Sequence, residues 1–523
     1  MEAILLCNSI AYFARARPHQ LACVDMATNE KLTYADFDAR TARMALALDR
    51  MMGSVGLSGR RVAVLARNSV ELLCLHVACR RLGAVFVPLN WRLSGNELAS
   101  ILRVAEPVLI LIHPDFSALA SDLHEGAPAA RLASFGPGGD LARAMAAVTR
   151  AHQVPRRMRG DEIVTLLFTS GTTGRPKGVV ITGDNAHASA RNYALSVNID
   201  ASTVFLCDMP LFHVVGLFTS CGSVLEAGGT LLLSPQFSAE ATQRWIADPA
   251  LGVTHYFCVP QMAQMLRSAP GFDPLPFRRL KALQTGGAPH AAHAIGEWID
   301  DGVRCVDGFG MTEAGTVLGV PPHDFALLRR KAGTVGVPAP HIEVRVVDRK
   351  GMDVEVDAVG ELWVRGPSVT PGYWHDKLAT NTAFRDGWLR TGDAASVDKD
   401  GFFTVVDRWK DMYISGGENV YPAEVEAVLL EIPGVSEAAV VGIADPKWGE
   451  AGSAYLVMAA EVDFSLDVIL MHCRRKLARY KIPKEIHVVD ALPRTASGKL
   501  KKDLLRKAGP PRPGQATAAY RRS

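Results

Sequence analysis

The chain has 523 residues, 48% of them hydrophobic and 21% charged, with a formal net charge of +3. That length exceeds what one hydrophobic core organises, so two or more domains are expected. The mild charge, with its one basic cluster between Lys499 and Lys507, excludes the concentrated basic stripe of a nucleic-acid binder. Nine cysteines without a CxxC spacing argue against a structural zinc and read as free thiols in a reducing, cytoplasmic compartment.

Along the chain, Glu2 precedes the first apolar residues, where a secretion signal would place positive charge. Apolar runs at 61–66, 84–89, 108–112, 164–168, 204–207, 230–233 and 255–259 are separated by helical patterns. This alternation predicts βαβ units and largely parallel sheets. Residues 71–81 predict a helix stopped by Gly83. The longest uncharged stretch, 209–225, contains Pro210, His213, Gly216 and Gly222, so it predicts buried strand, loop and helix and no membrane span. Between 342 and 364, Val344, Val346, Leu362 and Val364 alternate with polar residues, which predicts an antiparallel sheet or small barrel. After Lys410 the pattern restarts: a helix over 421–430 with Pro422 near its first position, strands at 435–443, 453–457 and 485–489, and an amphipathic helix over 466–479.

The expected fold class is therefore α/β. A large N-terminal domain of mixed parallel sheets with flanking helices and a small β-barrel-like part spans 1–409, and a small α+β domain spans 410–508. Residues 509–523, rich in Pro, Gly, Ala and Arg, are expected to be disordered.

One segment carries chemistry. Phe168-Thr169-Ser170-Gly171-Thr172-Thr173-Gly174-Arg175-Pro176-Lys177-Gly178 follows the apolar run 163–167. Glycines let backbone N–H groups approach a phosphate, hydroxyls donate hydrogen bonds to it, and a lysine supplies charge. The G-x-x-x-x-G-K-[ST], G-x-G-x-x-G and G-x-S-x-G patterns are all absent. The segment resembles the phosphate-loop signature of the adenylate-forming superfamily, which comprises acyl-CoA synthetases, nonribosomal-peptide adenylation domains and luciferases.

Further segments match that family in order. Gln284-Thr285-Gly286-Gly287-Ala288-Pro289 resembles the strand and loop lining the adenine and acyl pocket. Asp307-Gly308-Phe309-Gly310-Met311-Thr312-Glu313 resembles its YGxTE segment, with Phe309 where tyrosine is commoner. Trp388 to Asp393 resembles the ribose-binding TGD, Asp407 to Asp411 the hinge, Gly416 to Pro422 the segment used in thioester formation, and Pro493 to Lys499 the catalytic-lysine loop. Where many relatives carry T-H-x-N, this chain has Thr182-Gly183-Asp184-Asn185, and a helix cap from Asp184 or Asn185 is expected there.

The resemblance implies that Thr169, Ser170, Gly171, Thr172, Thr173, Gly174 and Lys177 hold the β- and γ-phosphates of ATP. Gly287, Ala288, Pro289, Asp307, Gly308, Phe309, Gly310, Met311, Asp393 and Arg408 take the rest of the nucleotide. Thr312 and Lys499 address the α-phosphate and the incoming carboxylate, and Glu313 anchors Mg2+. Lys410 is the hinge about which a mobile C-terminal domain rotates between half-reactions. His213, Phe257, Val259, Gln284 and Gly286 build the acyl pocket; Gly416, Gly417 and Trp448 line a tunnel for coenzyme A.

The implied function is an ATP-dependent carboxylic acid–CoA ligase acting on a small-molecule acid, as a monomer or homodimer. Few charges fall in the pocket segments, and no Asp is expected beside Tyr256 or Phe212 in the pocket, so an apolar acyl or aryl acid is expected rather than an amino acid. An acyl carrier protein is the alternative acceptor. A catalytically silent nucleotide-binding regulator is the alternative of another class, which the intact Thr312, Glu313, Asp393, Arg408 and Lys499 set argues against.

Overall fold

The computed structural model describes residues 6–149, 159–170, 176–409, 411–415, 418–446, 448–459, 466–494, 500–508 and 518–521. Two compact units emerge: Met1–Val344 with Val364–Arg390, and Arg345–Trp363 with Thr391–Ser523. This division differs from the single cut at 409/410 expected from the sequence, and sheet pairing is the reason. Strands Gly360–Arg365 and Trp388–Val397 are ladder neighbours. Thr391 Oγ1 donates to the Leu362 carbonyl at 2.8 Å, and the Asp357 N–H to that of Val397 at 2.8 Å. Residues 345–363 therefore join 391–408 through hydrogen bonds rather than through chain adjacency.

The first unit holds two large sheets. One has nine strands in the order Val337–Pro338, Gly315–Gly319, Cys305–Met311, Ala282–Gly286, His255–Cys258, Val204–Cys207, Thr230–Leu233, Leu21–Asp25 and Lys31–Thr33. Its central six strands are parallel and its edges antiparallel. The other has six strands in the order Arg131–Ser134, Leu109–Ile112, Arg61–Leu65, Val85–Pro88, Ile163–Ser170 and Pro176–Thr182, the last pair antiparallel.

Both faces of the six-stranded sheet are covered. In strand Arg61–Leu65, Val62 and Val64 enter the larger core while Ala63 and Leu65 enter a second one. Successive residues of a strand face opposite ways, so a strand buried on both faces reads as an unbroken apolar run. The helix expected over 71–81 is Val70–Leu82; the Ser69 hydroxyl caps its start and left-handed Gly83 (φ +69°) ends it.

The second unit contains a six-stranded sheet. Its path runs Glu418–Val420, Tyr413–Ser415, Gly449–Met458, Glu485–Val488 and Ala518–Arg521, with Val435–Asp445 pairing Gly449–Met458. Helices Pro422–Leu430 and Leu466–Lys476 pack on it through Val425, Leu429, Ile469 and Cys473. Ala518–Arg521 falls within the tail expected to be disordered; it forms an antiparallel edge strand on Glu485–Val488, held by ladder hydrogen bonds. The sheet or barrel anticipated at 342–364 is a five-stranded sheet including Glu343–Val347, Gly360–Arg365 and Phe403–Arg408.

Candidate active site

The phosphate-loop segment lies on a hairpin of the first unit, with Thr169 opposite Lys177 and Ser170 opposite Pro176. Gly171, Thr172, Thr173 and Gly174, together with the Ser170 side chain, lie outside the described residues. The strand after the loop runs into helix Gly183–Val197, whose N-cap is Thr182 rather than Asp184 or Asn185. Asn185 completes a capping box: its N–H donates to Thr182 Oγ1 at 3.2 Å and its Oδ1 accepts from the Thr182 N–H at 3.0 Å. Its Nδ2 also donates to the carbonyls of Pro367 and Val369, at 2.9 and 2.8 Å.

The acyl-pocket and adenine segments meet at the carboxyl ends of parallel strands, where open α/β sheets place ligands. Register sets Phe257 against Gln284, and Gly286 against Gly308. Both glycines are demanded by close approach. A Cβ on Gly308 would stand 2.6 Å from Gln284 Nε2 and 3.0 Å from the Leu318 carbonyl. One on Gly286 would stand 2.9 Å from the Gly308 carbonyl and 3.3 Å from the Phe257 ring. Gly287 (φ +81°) turns the chain outward, so Ala288 and Pro289 are exposed, and Val259 flanks it. Among the described residues, Gln284 Oε1 is buried without a hydrogen-bond partner. A cradle walled by glycines and carrying an orphaned amide oxygen fits a bound adenylate.

Phe309, Met311, Thr312 and Glu313 are half-buried and Gly310 is exposed; Thr312 and Glu313 lie in the turn of the hairpin between Cys305–Met311 and Gly315–Gly319. Glu313 is held at both ends. Its carbonyl accepts the Thr370 N–H at 2.7 Å, and its Oε1 accepts the Tyr373 hydroxyl at 2.9 Å. The ring of Tyr373 also lies under Lys177, whose Nζ is 5.2 Å from the centroid. Among the described residues no three carboxylate, imidazole or thiol groups converge as a metal site. A single half-buried carboxylate beside the hairpin whose sequence is assigned to phosphate suits a hard cation that takes its other ligands from substrate phosphates and water.

His213 is half-buried in a turn, its ring 4.7 Å from that of Phe212, just before the π-helical turn Val215–Gly222. Such turns are rare and concentrate at functional sites. Asn68 fixes this loop by donating to the Met209 carbonyl and accepting from the Leu211 N–H, both at 2.9 Å. Tyr373 and Asn68 carry no recognisable local pattern, so only their three-dimensional partners reveal them.

One argument from the sequence needs correction. An Asp does stand beside Tyr256: Asp208 Oδ2 accepts the Tyr256 hydroxyl at 2.8 Å and the Thr242 hydroxyl at 3.1 Å. The two residues are 48 apart in the chain, so their adjacency is tertiary. Tyr256 and Phe257 face opposite sides of their strand. Asp208 thus belongs to the face carrying helix Ala239–Ala247, whereas Phe257 meets Tyr193 and Gly286 on the other. Burial pushes the Asp208 carboxyl up to about 7.

Asp307 is also buried, accepting Thr285 Oγ1 at 3.0 Å and the Gly308 N–H at 2.9 Å, and burial pushes its carboxyl up to about 8. Thr285 Oγ1 lies 2.9 Å from His290 Nδ1, and burial lowers that imidazole to about 4. Burial thus favours the neutral forms of both Asp307 and His290 beneath the glycine-walled cradle. The consequence for stability has a definite sign. Between the unfolded value near 4 and the folded value of about 8, the folded chain binds the extra proton. Stability conferred at Asp307 therefore falls as pH rises, by about 1.4 kcal/mol per unit at most. Asp307→Asn should gain stability relative to wild type steadily from pH 5 to 8 in urea denaturation; parallel curves would mean an ionised Asp307.

In the second unit, register places Asp393 opposite Arg408, and the Trp409 N–H donates to the Gly392 carbonyl at 2.8 Å. The two residues that the sequence motifs assign to ribose are thereby strand neighbours. Half-buried Trp448 donates its N–H to Asp445 Oδ1 at 2.9 Å, and Gly449 pairs with Ser415, which immediately precedes Gly416 and Gly417. Lys410, Gly416, Gly417, Lys499 and the Arg408 side chain lie outside the described residues.

Comparison with known proteins agrees with this geometry. The AMP-binding enzyme family matches residues 10–374, and the AMP-binding enzyme C-terminal domain matches residues 424–499. A feruloyl-CoA synthase from Amycolatopsis sp is 39% identical over 494 residues, covering 94% of this chain and 97% of that protein. An indoleacetate–CoA ligase from Aromatoleum aromaticum is 37% identical over 481 residues, covering 91% and 92%. The structure of o-succinylbenzoate CoA synthetase from Bacillus subtilis, in complex with its acyl-adenylate intermediate, superimposes with a TM-score of 0.86 at 32% identity, covering 96% of this chain and 98% of that one. This chain belongs to the AMP-binding enzyme family, the adenylate-forming superfamily.

Proposed function

We propose that this chain is an ATP-dependent carboxylic acid–CoA ligase, joining an apolar acyl or aryl acid to AMP and then to coenzyme A. The observation that carries the reading is the glycine-walled cradle of Gly286 and Gly308, one turn of chain from Thr312 and Glu313. A carboxylate is a poor electrophile, and the mixed anhydride with AMP supplies a leaving group. The first half-reaction brings two anions together, so the site must present positive charge and hydrogen-bond donors where charge develops. Thr169, Ser170, Thr172, Thr173 and Lys177 are assigned to the β- and γ-phosphates. Thr312 is assigned to the α-phosphate, Asp393 and Arg408 to the ribose, and Phe309 to stacking on adenine. Glu313 would hold Mg2+, which supplies charge neutralisation on the phosphates when bound. Lys499 is assigned to the first half-reaction, and Gly416, Gly417 and Trp448 to the acceptor thiol of the second.

Phe257, Val259 and Gly286 give the acyl pocket an apolar lining, and Asp208 stands on the opposite face of the sheet. The feruloyl- and indoleacetate-activating relatives are named for aromatic acids, which supports the aryl side of the reading. The nine free cysteines, eight of them buried, fit a reducing, cytoplasmic compartment. The test is a panel of aryl, fatty and amino acids with ATP and Mg2+, following pyrophosphate release with and without coenzyme A and identifying products by mass. An acyl-CoA product from an aryl or fatty acid is expected. Selective turnover of an amino acid would overturn the substrate class, and adenylate formation indifferent to coenzyme A would favour a carrier-protein acceptor.

A further inference from the structure

The proposed reading assigns Glu313 to the metal and Lys177 to phosphates, yet it leaves unexplained what keeps these opposite charges from neutralising each other. Both flank one aromatic ring. Tyr373 donates its hydroxyl to Glu313 Oε1 at 2.9 Å and offers its face to Lys177 Nζ at 5.2 Å. Among the described residues neither Glu313 nor Lys177 makes an ion pair. A direct pair would consume the charge each needs for its ligand. A phenol between them gives the carboxylate a neutral donor and the ammonium a quadrupolar face, an attraction worth far less than a desolvated ion pair.

The position of Tyr373 is itself over-determined. The Trp374 N–H donates to the Gly178 carbonyl at 2.7 Å and the Val180 N–H to that of Gly372 at 3.1 Å, which stitches residues 372–374 to the strand carrying Lys177. Thr370 Oγ1 donates to the Val180 carbonyl at 2.6 Å, and the Thr370 N–H holds the Glu313 carbonyl. The Tyr373 N–H is taken by Thr380 Oγ1 at 3.0 Å, and Asn185 anchors Pro367 and Val369 just upstream. This buttressing fixes the backbone from which the phenol reaches Glu313. The small residues Gly372 and Thr380 pack closely here too, since a Cβ on Gly372 would stand 2.5 Å from Thr380 Cγ2.

We propose that Tyr373 is a positioning residue for adenylate formation: it orients the Glu313 carboxylate for the metal and keeps Lys177 available to phosphate. The proposal rests on the assignment of Glu313 and Lys177 given above. Residues that orient a metal ligand typically contribute about 10–100-fold to metal affinity. Tyr373→Phe removes the hydroxyl and keeps the ring. Mn2+ titration by electron paramagnetic resonance, with the full-length enzyme and α,β-methylene-ATP, should show affinity weakened about tenfold or more. The Mg2+ concentration needed for half-maximal pyrophosphate release should rise in step. Thioester formation from supplied acyl-AMP, which needs neither ATP nor metal, should stay at the wild-type rate and reports that the variant is folded. Wild-type Mn2+ affinity in Tyr373→Phe, or equal loss in both half-reactions, would overturn the proposal. Glu313→Gln separates the two levels: if it too binds Mn2+ like wild type, the metal assignment of Glu313 fails; if it binds weakly while Tyr373→Phe does not, only the role of Tyr373 fails.

Discussion

Lys499→Ala is expected to abolish acyl-AMP formation while leaving thioester formation from supplied acyl-AMP near the wild-type rate. The assignment rests on the Pro493-Arg494-Thr495-Ala496-Ser497-Gly498-Lys499 segment and on the family match that ends at residue 499. The asymmetry follows from charge. In the first half-reaction a carboxylate approaches an α-phosphate, so a cation aimed at the developing charge lowers the barrier. Removing one such group typically costs about 10²–10³-fold in rate. In the second, a thiol attacks a carbonyl already activated by its AMP leaving group, and no two anions must meet. Pyrophosphate release reads the first step, and mass detection of acyl-CoA from synthetic acyl-AMP reads the second. Equal loss of both would contradict a division of labour between the half-reactions.

Gly310→Val should cost adenylate formation about 10²-fold with little loss of fold. Gly310 pairs with Thr316 in the hairpin that carries Thr312 and Glu313. A Cβ there would stand 2.5 Å from the Gly315 carbonyl oxygen. Gly315 cannot retreat: it adopts φ +64° and is packed against Ser189, leaving no room for even a methyl group. The displacement must then fall on the 311–314 turn, and a shift of about 1 Å at reacting groups costs about 10²-fold. The Gly310 position is exposed, so the hairpin can splay without opening the core. Pyrophosphate release together with circular dichroism checks both parts. Wild-type turnover would mean that the turn tolerates the shift and that its geometry does not limit the chemistry.

The same logic separates what could be read from the chain from what could not. Buried parallel strands announce themselves because both faces are apolar: 204–207, 230–233 and the core of 163–170 are continuous apolar runs and are strands in the structure. The phosphate-loop hairpin and the Thr312–Glu313 turn are legible for a related reason. Their chemistry needs glycines and hydroxyls at consecutive positions, so the whole requirement lies within a dozen residues. Whatever depends on long-range pairing stays hidden. Asp208 and Tyr256, Glu313 and Tyr373, and Asn185 and Val369 lie 48, 60 and 184 residues apart. The Asp208 case misled the sequence argument because Asp208, shortly before Phe212 in the chain, shows its contact with Tyr256 only once the strands are aligned. The cap sits at Thr182 because the helix starts at Gly183, which makes Asn185 the third helical residue of a capping box; its Nδ2 is left to hold the segment before Thr370.

The sequence by itself determined the fold class, several of the strands and helices and the family, because periodicity and contiguous motifs are local properties of the chain. Only the tertiary structure decided where 345–363 belongs, which aspartates are buried with their carboxyls pushed up, and that Tyr373 stands between Glu313 and Lys177. Those outcomes depend on sheet register, on the solvent excluded by packing, and on side chains from distant strands converging, none of which a local pattern encodes.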